Sequence, residues 1–206
     1  MRGALDTQAL SALDAAFGLS GRPGARVGLD AALRDVFAPG SALGLRLDTL
    51  LPGARPVRAL AFDKTPDQNW GVPWHQDRVI AVAARQDIPG YHNWSQKDGV
   101  WHCEPPPAVL DAMLFLRLHL DCADAGNGAM EIAVGSHRQG TVAANTATAI
   151  ATSGPTEICT AARGDVLILH MLILHRSRPA TDTRPRRTFR VDVSAMALPA
   201  PLDWAA

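Results

Sequence analysis

Between Met113 and Asp121 the side chains alternate with a period of two. Leu114, Leu116, Leu118 and Leu120 share one face of an extended segment, and Met113, Phe115, Arg117, His119 and Asp121 share the other. The leucine face requires a second layer to pack against, such as helices. Arg117 and His119 then point the opposite way. If that side is a barrel interior, they line a cavity and need polar partners; if the sheet is open, that face is simply wet.

The rest of the chain is organised around such a strand. From Leu43 onward, short apolar stretches are split by Gly, Pro and Asp, the texture of an all-β sandwich or barrel. Arg58 to Asp63, Arg78 to Ala83, Ala129 to Val134 and Arg186 to Ser194 are further strands, with a turn at Asp124 to Gly128. Thr156 to Thr160 and Asp165 to Leu169 read as a hairpin across Arg163-Gly164. Ahead of them, Leu5, Ala9, Leu13 and Ala16 form a helical stripe closed by Gly18, and a second helix runs from an Asp30 N-cap to Phe37. Ser20 to Gly28 reads as a loop. The expected organisation is one domain over 1–206, mainly β, with helical support over about 1–42 and a sheet core over about 43–195. Thr141 to Gly154 has no assignable pattern, and the tail from Pro199 is expected to be peripheral.

Charge and cysteine usage exclude several function classes. Twenty Lys and Arg balance twenty Asp and Glu, so no net field recruits nucleic acid or an anionic membrane. Val166 to Leu174 is too short to span a bilayer, and Asp6, Gln8 and Asp14 interrupt any signal-peptide core at the start. Cys103, Cys122 and Cys159 are widely spaced with no C-x-x-C pair, which suits reduced thiols rather than a disulfide framework or a zinc site. A cytoplasmic protein is expected.

The chemistry centres on Pro73-Trp74-His75-Gln76-Asp77. On an extended backbone His75 and Asp77 project to one face and Gln76 to the other. With a histidine from a distant strand, His175, they make the two-histidine, one-carboxylate face of non-haem Fe(II) oxygenases, which leaves the opposite positions open. The bland alternative is a surface His beside a solvated Asp. A second notable segment, Gln86 to Pro107, is rich in Pro, Gly and aromatic residues. It is too long and aromatic for a simple turn, so it reads as a lid. Trp94 and Trp101 would offer apolar surface to a substrate, and Lys97 and His102 polar contacts. The alternative is a packed surface loop.

Taken together, Pro73 to Asp77, Glu131 to His137 ending in Gly-Ser-His, and Gly164-Asp165-Val166 running to His175-Arg176-Ser177 and then Arg186-Arg187 resemble the phytanoyl-CoA dioxygenase family. The resemblance covers about Phe62 to Val193. It implies a double-stranded β-helix, the cupin-like jelly roll, and dependence on Fe(II), 2-oxoglutarate and O₂, with ascorbate in support. It implies a small-molecule substrate, oxidised with release of succinate and CO₂, and a monomer or homodimer with no nucleic-acid or membrane partner. Carried over by position, His75, Asp77 and His175 match the metal ligands, which are also the catalytic residues. Arg186, eleven residues beyond His175, matches the arginine that pairs with the far carboxylate of 2-oxoglutarate, and Ser177 matches a hydroxyl that assists it. Arg117 and Lys64 are further candidates for the cosubstrate or a polar substrate. Arg187 falls on the opposite face of its strand, and most of the cluster Arg176, Arg178, Arg184, Arg186, Arg187 and Arg190 reads as a solvated basic edge. Two positions depart from the pattern: Val134 stands where Pro usually precedes Gly-Ser-His, and Arg176 where Gly often follows the distal histidine. Asp77 favours hydroxylation or a related oxidation, because related halogenases lack this carboxylate. His170 lies five residues before His175, but the family pattern assigns the ligand to the second. A cupin-type metal enzyme that needs no 2-oxoglutarate would keep the triad without Arg186, and a non-catalytic jelly-roll binding module is a third reading.

Overall fold

The computed structural model describes residues 1–18, 24–64 and 69–205. Its largest sheet has five strands in the order β1 (Gly24–Val27), β2 (Arg55–Lys64), β12 (Arg186–Ser194), β7 (Met113–His119) and β10 (Val166–His170). A four-stranded sheet runs β3 (Val72–His75), β11 (His175–Ser177), β8 (Met130–Ala133) and β9 (Thr156–Ile158). A third sheet has the order β4 (Ile80–Val82), β6 (Val100–Glu104) and β5 (His92–Lys97). All pairings are antiparallel. The first two sheets face each other as the walls of a double-stranded β-helix, as the sequence leads one to expect.

The outer face of the large sheet is covered by helices. α1 (Thr7–Ala16), α2 (Ala31–Val36) and α3 (Ala42–Leu50) start at Asp6, Asp30 and Ser41, whose side chains accept from Ala9 N (2.8 Å), Leu33 N (3.0 Å) and Gly44 N (2.9 Å). Leu13, Leu33, Leu43 and Leu47 pack against Leu114, Leu116 and Leu118 of β7 and Leu120 just beyond it, with Phe189, Val191 and Val193 of β12. The leucine face of the alternating strand thus meets helices, and its other face looks inward.

Several expectations change. α3 lies beyond the expected end of the helical region, because only Leu43 and Leu47 of its apolar residues are buried and the stripe is too thin to read. Within Ser20 to Gly28, residues 24–27 form edge strand β1, while the start of that stretch lies outside the described residues. Thr156 to Thr160 and Asp165 to Leu169 do not form a hairpin: β9 pairs with β8, and β10 pairs with β7 in the other sheet. Part of Thr141 to Gly154 is the helix α5 (Ala147–Thr152). Gln86 to Pro107 is not a free lid: β5 and β6 form a hairpin paired to β4 and followed by α4 (Pro107–Asp111). Its turn is Asp98-Gly99, with φ of 48° and 78°, the left-handed pair that a two-residue hairpin loop requires. The tail is not peripheral either. Trp204 is buried and bridges to Val82, and Ala205 N donates to Ala81 O at 3.1 Å, so the last residues extend the third sheet.

Candidate metal centre

β3 and β11 run antiparallel with His75 directly opposite His175. The two imidazoles stand 4.3 Å apart by ring centroid. His75 Nδ1 lies 2.8 Å from Pro73 O and His175 Nδ1 3.0 Å from Ile173 O. A carbonyl only accepts, so in each ring Nδ1 donates and Nε2 is turned to the centre. Asp77 completes the set: its Oδ1 is 3.9 Å from His75 Nε2 and its Oδ2 3.2 Å from His175 Nε2. One ligand atom from each residue lies within 4.8 Å of the others, so the three could hold a metal ion. The intervening Gln76 anchors the strand from the other side, donating to Gly140 O (2.8 Å) and Leu172 O (2.6 Å) and accepting from Val142 N (2.7 Å). Burial, together with the neighbouring His175, lowers the pKa of His75 against the pull of Asp77. Burial works to raise the Asp77 carboxyl, but Arg190 and His175 outweigh it and hold the pKa well below the ordinary range.

The triad opens into a cavity of about 190 Å³, whose wall on the large sheet includes Phe62, Arg117, Arg186 and Arg190. This wall is cationic and only partly satisfied. Among the described residues, Arg117 Nε, Arg186 Nε, both ring nitrogens of His119 and Thr188 Oγ1 are buried without a hydrogen-bond partner. The strand register lays them in rows, with Lys64 beside Arg186, Phe62 beside Thr188 and His119, and Leu60 beside Arg190 and Arg117. Burial pulls Arg186 down to about 10, and burial with the charges of Arg186 and Arg190 pulls Arg117 down to about 9. Burial, with Arg117 and Arg186 nearby, takes His119 to about 3, so it is neutral. Buried guanidinium groups without an anion are costly. A ligand with a carboxylate would relieve that cost, and two imidazoles with a carboxylate suit Fe(II). The residues therefore fit both the metal and 2-oxoglutarate.

The family profile described as phytanoyl-CoA dioxygenase matches residues 30–188. The chain belongs to the phytanoyl-CoA dioxygenase family. It is accordingly an Fe(II)- and 2-oxoglutarate-dependent oxygenase of small molecules. Solved structures agree in fold. AviO1 from Streptomyces viridochromogenes Tue57 superposes with a TM-score of 0.63 at 20% identity, over 96% of this chain and 90% of that one. The non-haem α-ketoglutarate-dependent epimerase SnoN from nogalamycin biosynthesis gives 0.63 at 13% identity, over 93% and 75%. HygX from Streptomyces hygroscopicus, solved with nickel and 2-oxoglutarate, gives 0.61 at 12%, over 94% and 80%. No curated protein matches the sequence significantly.

Within this phytanoyl-CoA dioxygenase family member, the positions singled out in the sequence divide into two groups. His75, Asp77, His175, Ser177, Arg117 and Arg186 all line the one cavity. Arg187, on the opposite face, donates to both oxygens of Asp121 at 3.0 and 2.8 Å. Lys64 is buried beside Arg186 in the register, donates to Arg178 O at 2.6 Å and lies over the Trp70 ring, with burial and Arg186 lowering it to about 8. Trp94, Trp101, Lys97 and His102 do not line the cavity. They belong to the β5–β6 hairpin, where Trp94 and Trp101 meet edge to face at 6.5 Å and His102 is buried against Arg26. His170 is exposed and stacks on His137 at 4.3 Å, apart from the triad. Arg176 is held by Glu131 in a two-bond pair of 2.8 and 3.0 Å and lies over Trp74.

The sequence reading missed Thr188 and, above all, Arg190, to which it gave no role beyond membership of the basic cluster. Arg190 is buried and bonded to Asp77. The signal was present: Arg186, Thr188, Arg190 and Asp192 alternate with Arg187, Phe189, Val191 and Val193.

Proposed function

We propose that His75, Asp77 and His175 hold Fe(II) and that Arg186 receives the far carboxylate of 2-oxoglutarate in the oxidation of a small-molecule substrate. The observation that carries this reading is that the triad lines the same cavity as Arg186, whose buried Nε has no hydrogen-bond partner among the described residues. When bound, Fe(II) and 2-oxoglutarate together activate O₂, the cosubstrate leaving as succinate and CO₂. The chain's own residues bind, orient and exclude water. With Nδ1 of His75 and His175 turned to carbonyls, Nε2 of each ring is the atom that would meet a metal. Asp77 stays ionised at neutral pH, because Arg190 and His175 outweigh its burial. Arg186 offers a bidentate fork to a carboxylate at the far end, with Ser177 as a hydroxyl partner. Arg117, opposite Arg190 in the register, is a second cation for the cosubstrate or an anionic substrate, and Lys64, opposite Arg186 on β2, is a third. Phe62, Trp70, Val72 and Met130 give the same cavity apolar surface that keeps water from the reacting centre.

HygX has been solved with hygromycin B as well as nickel and 2-oxoglutarate, and by analogy a polar natural product suits this cavity as substrate. Balanced charge and free cysteines favour a cytoplasmic protein without a nucleic-acid partner, which we take as a monomer or homodimer; among the described residues no helix is long and apolar enough to cross a membrane. Succinate release from 2-oxoglutarate with Fe(II) and ascorbate, first alone and then with a metabolite library, tests the reading. Metal-dependent turnover of a substrate without 2-oxoglutarate would favour a cupin-type enzyme instead. Ligand binding without any turnover would favour a binding module.

A further inference from the structure

Asp77 is the member of the triad least secured by backbone. Each histidine is fixed through Nδ1 to a carbonyl two residues back, but among the described residues the carboxylate has no such tether. What it has is Arg190. Nη1 of Arg190 donates to Asp77 Oδ2, while Nε of the same guanidinium donates to Asp192 Oδ1 at 2.7 Å and Nη2 lies 3.4 Å from Met171 Sδ. The far oxygen of Asp192 takes Arg58 Nε at 2.6 Å, and Arg58 also donates to Val79 O at 3.2 Å. The flat group lies over the Phe115 ring at 4.4 Å, and that ring is 5.6 Å from the His175 imidazole. Arg58, Arg190 and Asp192 are all buried. A chain of charge thus runs from β2 through β12 to the triad.

We propose that Arg190 is a positioning residue for the metal-ligating carboxylate: it holds Asp77 Oδ2 so that Oδ1 alone turns to the metal, with Asp192 and Arg58 fixing its own orientation. Oδ2 takes Arg190 and also stands 3.2 Å from His175 Nε2, whereas Oδ1, 3.9 Å from His75 Nε2, carries no guanidinium contact among the described residues; the geometry favours one-oxygen ligation through Oδ1. A guanidinium is the group for this work, since a single planar fork spans two carboxylates and stacks on a ring; an ammonium keeps the charge but loses the fork. A ligand oxygen confined to one direction leaves more of the metal's coordination sphere for cosubstrate and oxygen.

The inference rests on the triad reading above, so the test separates the two. Co(II) alone is titrated into the purified metal-free full-length protein and its variants, with the visible ligand-field spectrum and the thermal midpoint of the metal-free form recorded. His175→Ala is the control for the triad, and unchanged Co(II) affinity there sinks the metal-site reading itself. With the control lost as expected, Arg190→Gln is expected to weaken Co(II) by about 10- to 100-fold and to alter the spectrum. Arg190→Lys should recover part of the affinity without the wild-type spectrum, and Asp192→Asn should weaken Co(II) less than Arg190→Gln. Wild-type affinity and spectrum in Arg190→Gln, even with a lowered thermal midpoint, would reduce Arg190 to a structural role and overturn the proposal. Should Arg190→Gln fail to fold, the Co(II)-loaded wild-type crystal structure decides. One-oxygen ligation through Oδ1 with Arg190 on Oδ2 supports the proposal, and chelation by both oxygens or a displaced Arg190 overturns it.

Discussion

The two faces of the large sheet are built on the same strands by the same alternation, yet they serve opposite ends. On the helix side, Leu114, Leu116, Leu118, Phe189, Val191 and Val193 form a continuous apolar layer. On the cavity side, one residue along in each strand, stand Arg117, His119, Arg186, Thr188, Arg190 and Asp192. The outward face gains stability from every residue it buries. The inward face gives some of that stability up, since among the described residues it buries guanidinium Nε atoms and ring nitrogens without hydrogen-bond partners, a deficit that a ligand can relieve. A one-residue slip of register would exchange the two sets, so the leucines that stabilise the domain also fix which arginines meet the metal site.

That contrast can be broken by substitution, and the largest effect belongs to the inward side. His175→Ala should abolish Fe(II) binding in an anaerobic titration while His170→Ala leaves it intact; the reverse result would move the distal ligand to His170. Next, Arg186→Ala should weaken 2-oxoglutarate binding by about 2 to 5 kcal/mol, roughly 30-fold to several thousandfold, read from the visible absorption of the anaerobic Fe(II)/2-oxoglutarate complex. Because Arg186 is buried with its Nε unpaired, the same substitution should raise the thermal midpoint of the ligand-free protein. Arg187→Ala, on the outward face and paired with Asp121, should do neither. Equal effects on 2-oxoglutarate from the two arginines would mean the assigned faces are wrong.

On the outward side, Leu116→Ala should lower stability by about 2 to 5 kcal/mol in a denaturant titration and leave Co(II) affinity within about twofold of wild type. A large loss of metal affinity there would show that the two faces are not separable. The smallest effect is in pH. His119 titrates near its ordinary value in the unfolded chain but only near about 3 when folded, so between these values the unfolded chain carries the extra proton. Stability of the metal-free protein should therefore fall as the pH drops below about 6.5, and His119→Gln should flatten that slope by up to about 1.4 kcal/mol per pH unit. His102, lowered to about 4 by burial and by Arg26 and Arg58, adds a slope of the same sign from outside the cavity, and His119→Gln should leave it in place.

Where the sequence carried a strict period, the fold could be read from it. β7 and β12 show their two faces outright, and His75-Gln76-Asp77 shows its division of labour. The parts that escaped are those in which partners far apart in sequence decide. Nothing local reveals that β9 and β10 leave for different sheets, because the choice is made by β8 and β7. The tail looked free until Val82 is seen beneath Trp204. Gln86 to Pro107 was legible in part, since Asp98-Gly99 is a hairpin turn signal, but its prolines and tryptophans suggested a lid. Arg190 escaped because counting arginines along a chain does not reveal that Asp77, 113 residues away, is waiting for one of them.

The facing of His75 and His175 across β3 and β11 has a consequence for the lifetime of the protein. Their histidines lie a hundred positions apart in sequence, and an ion held by both would pin two neighbouring strands of one sheet together as a rivet pins plates. A divalent ion held by the triad would bind the folded chain in preference to the unfolded one, and at a hundred times its dissociation constant it would add about 2.7 kcal/mol to stability. Iron scarcity would then act twice, idling the enzyme and at the same time exposing the idle chain to proteolysis.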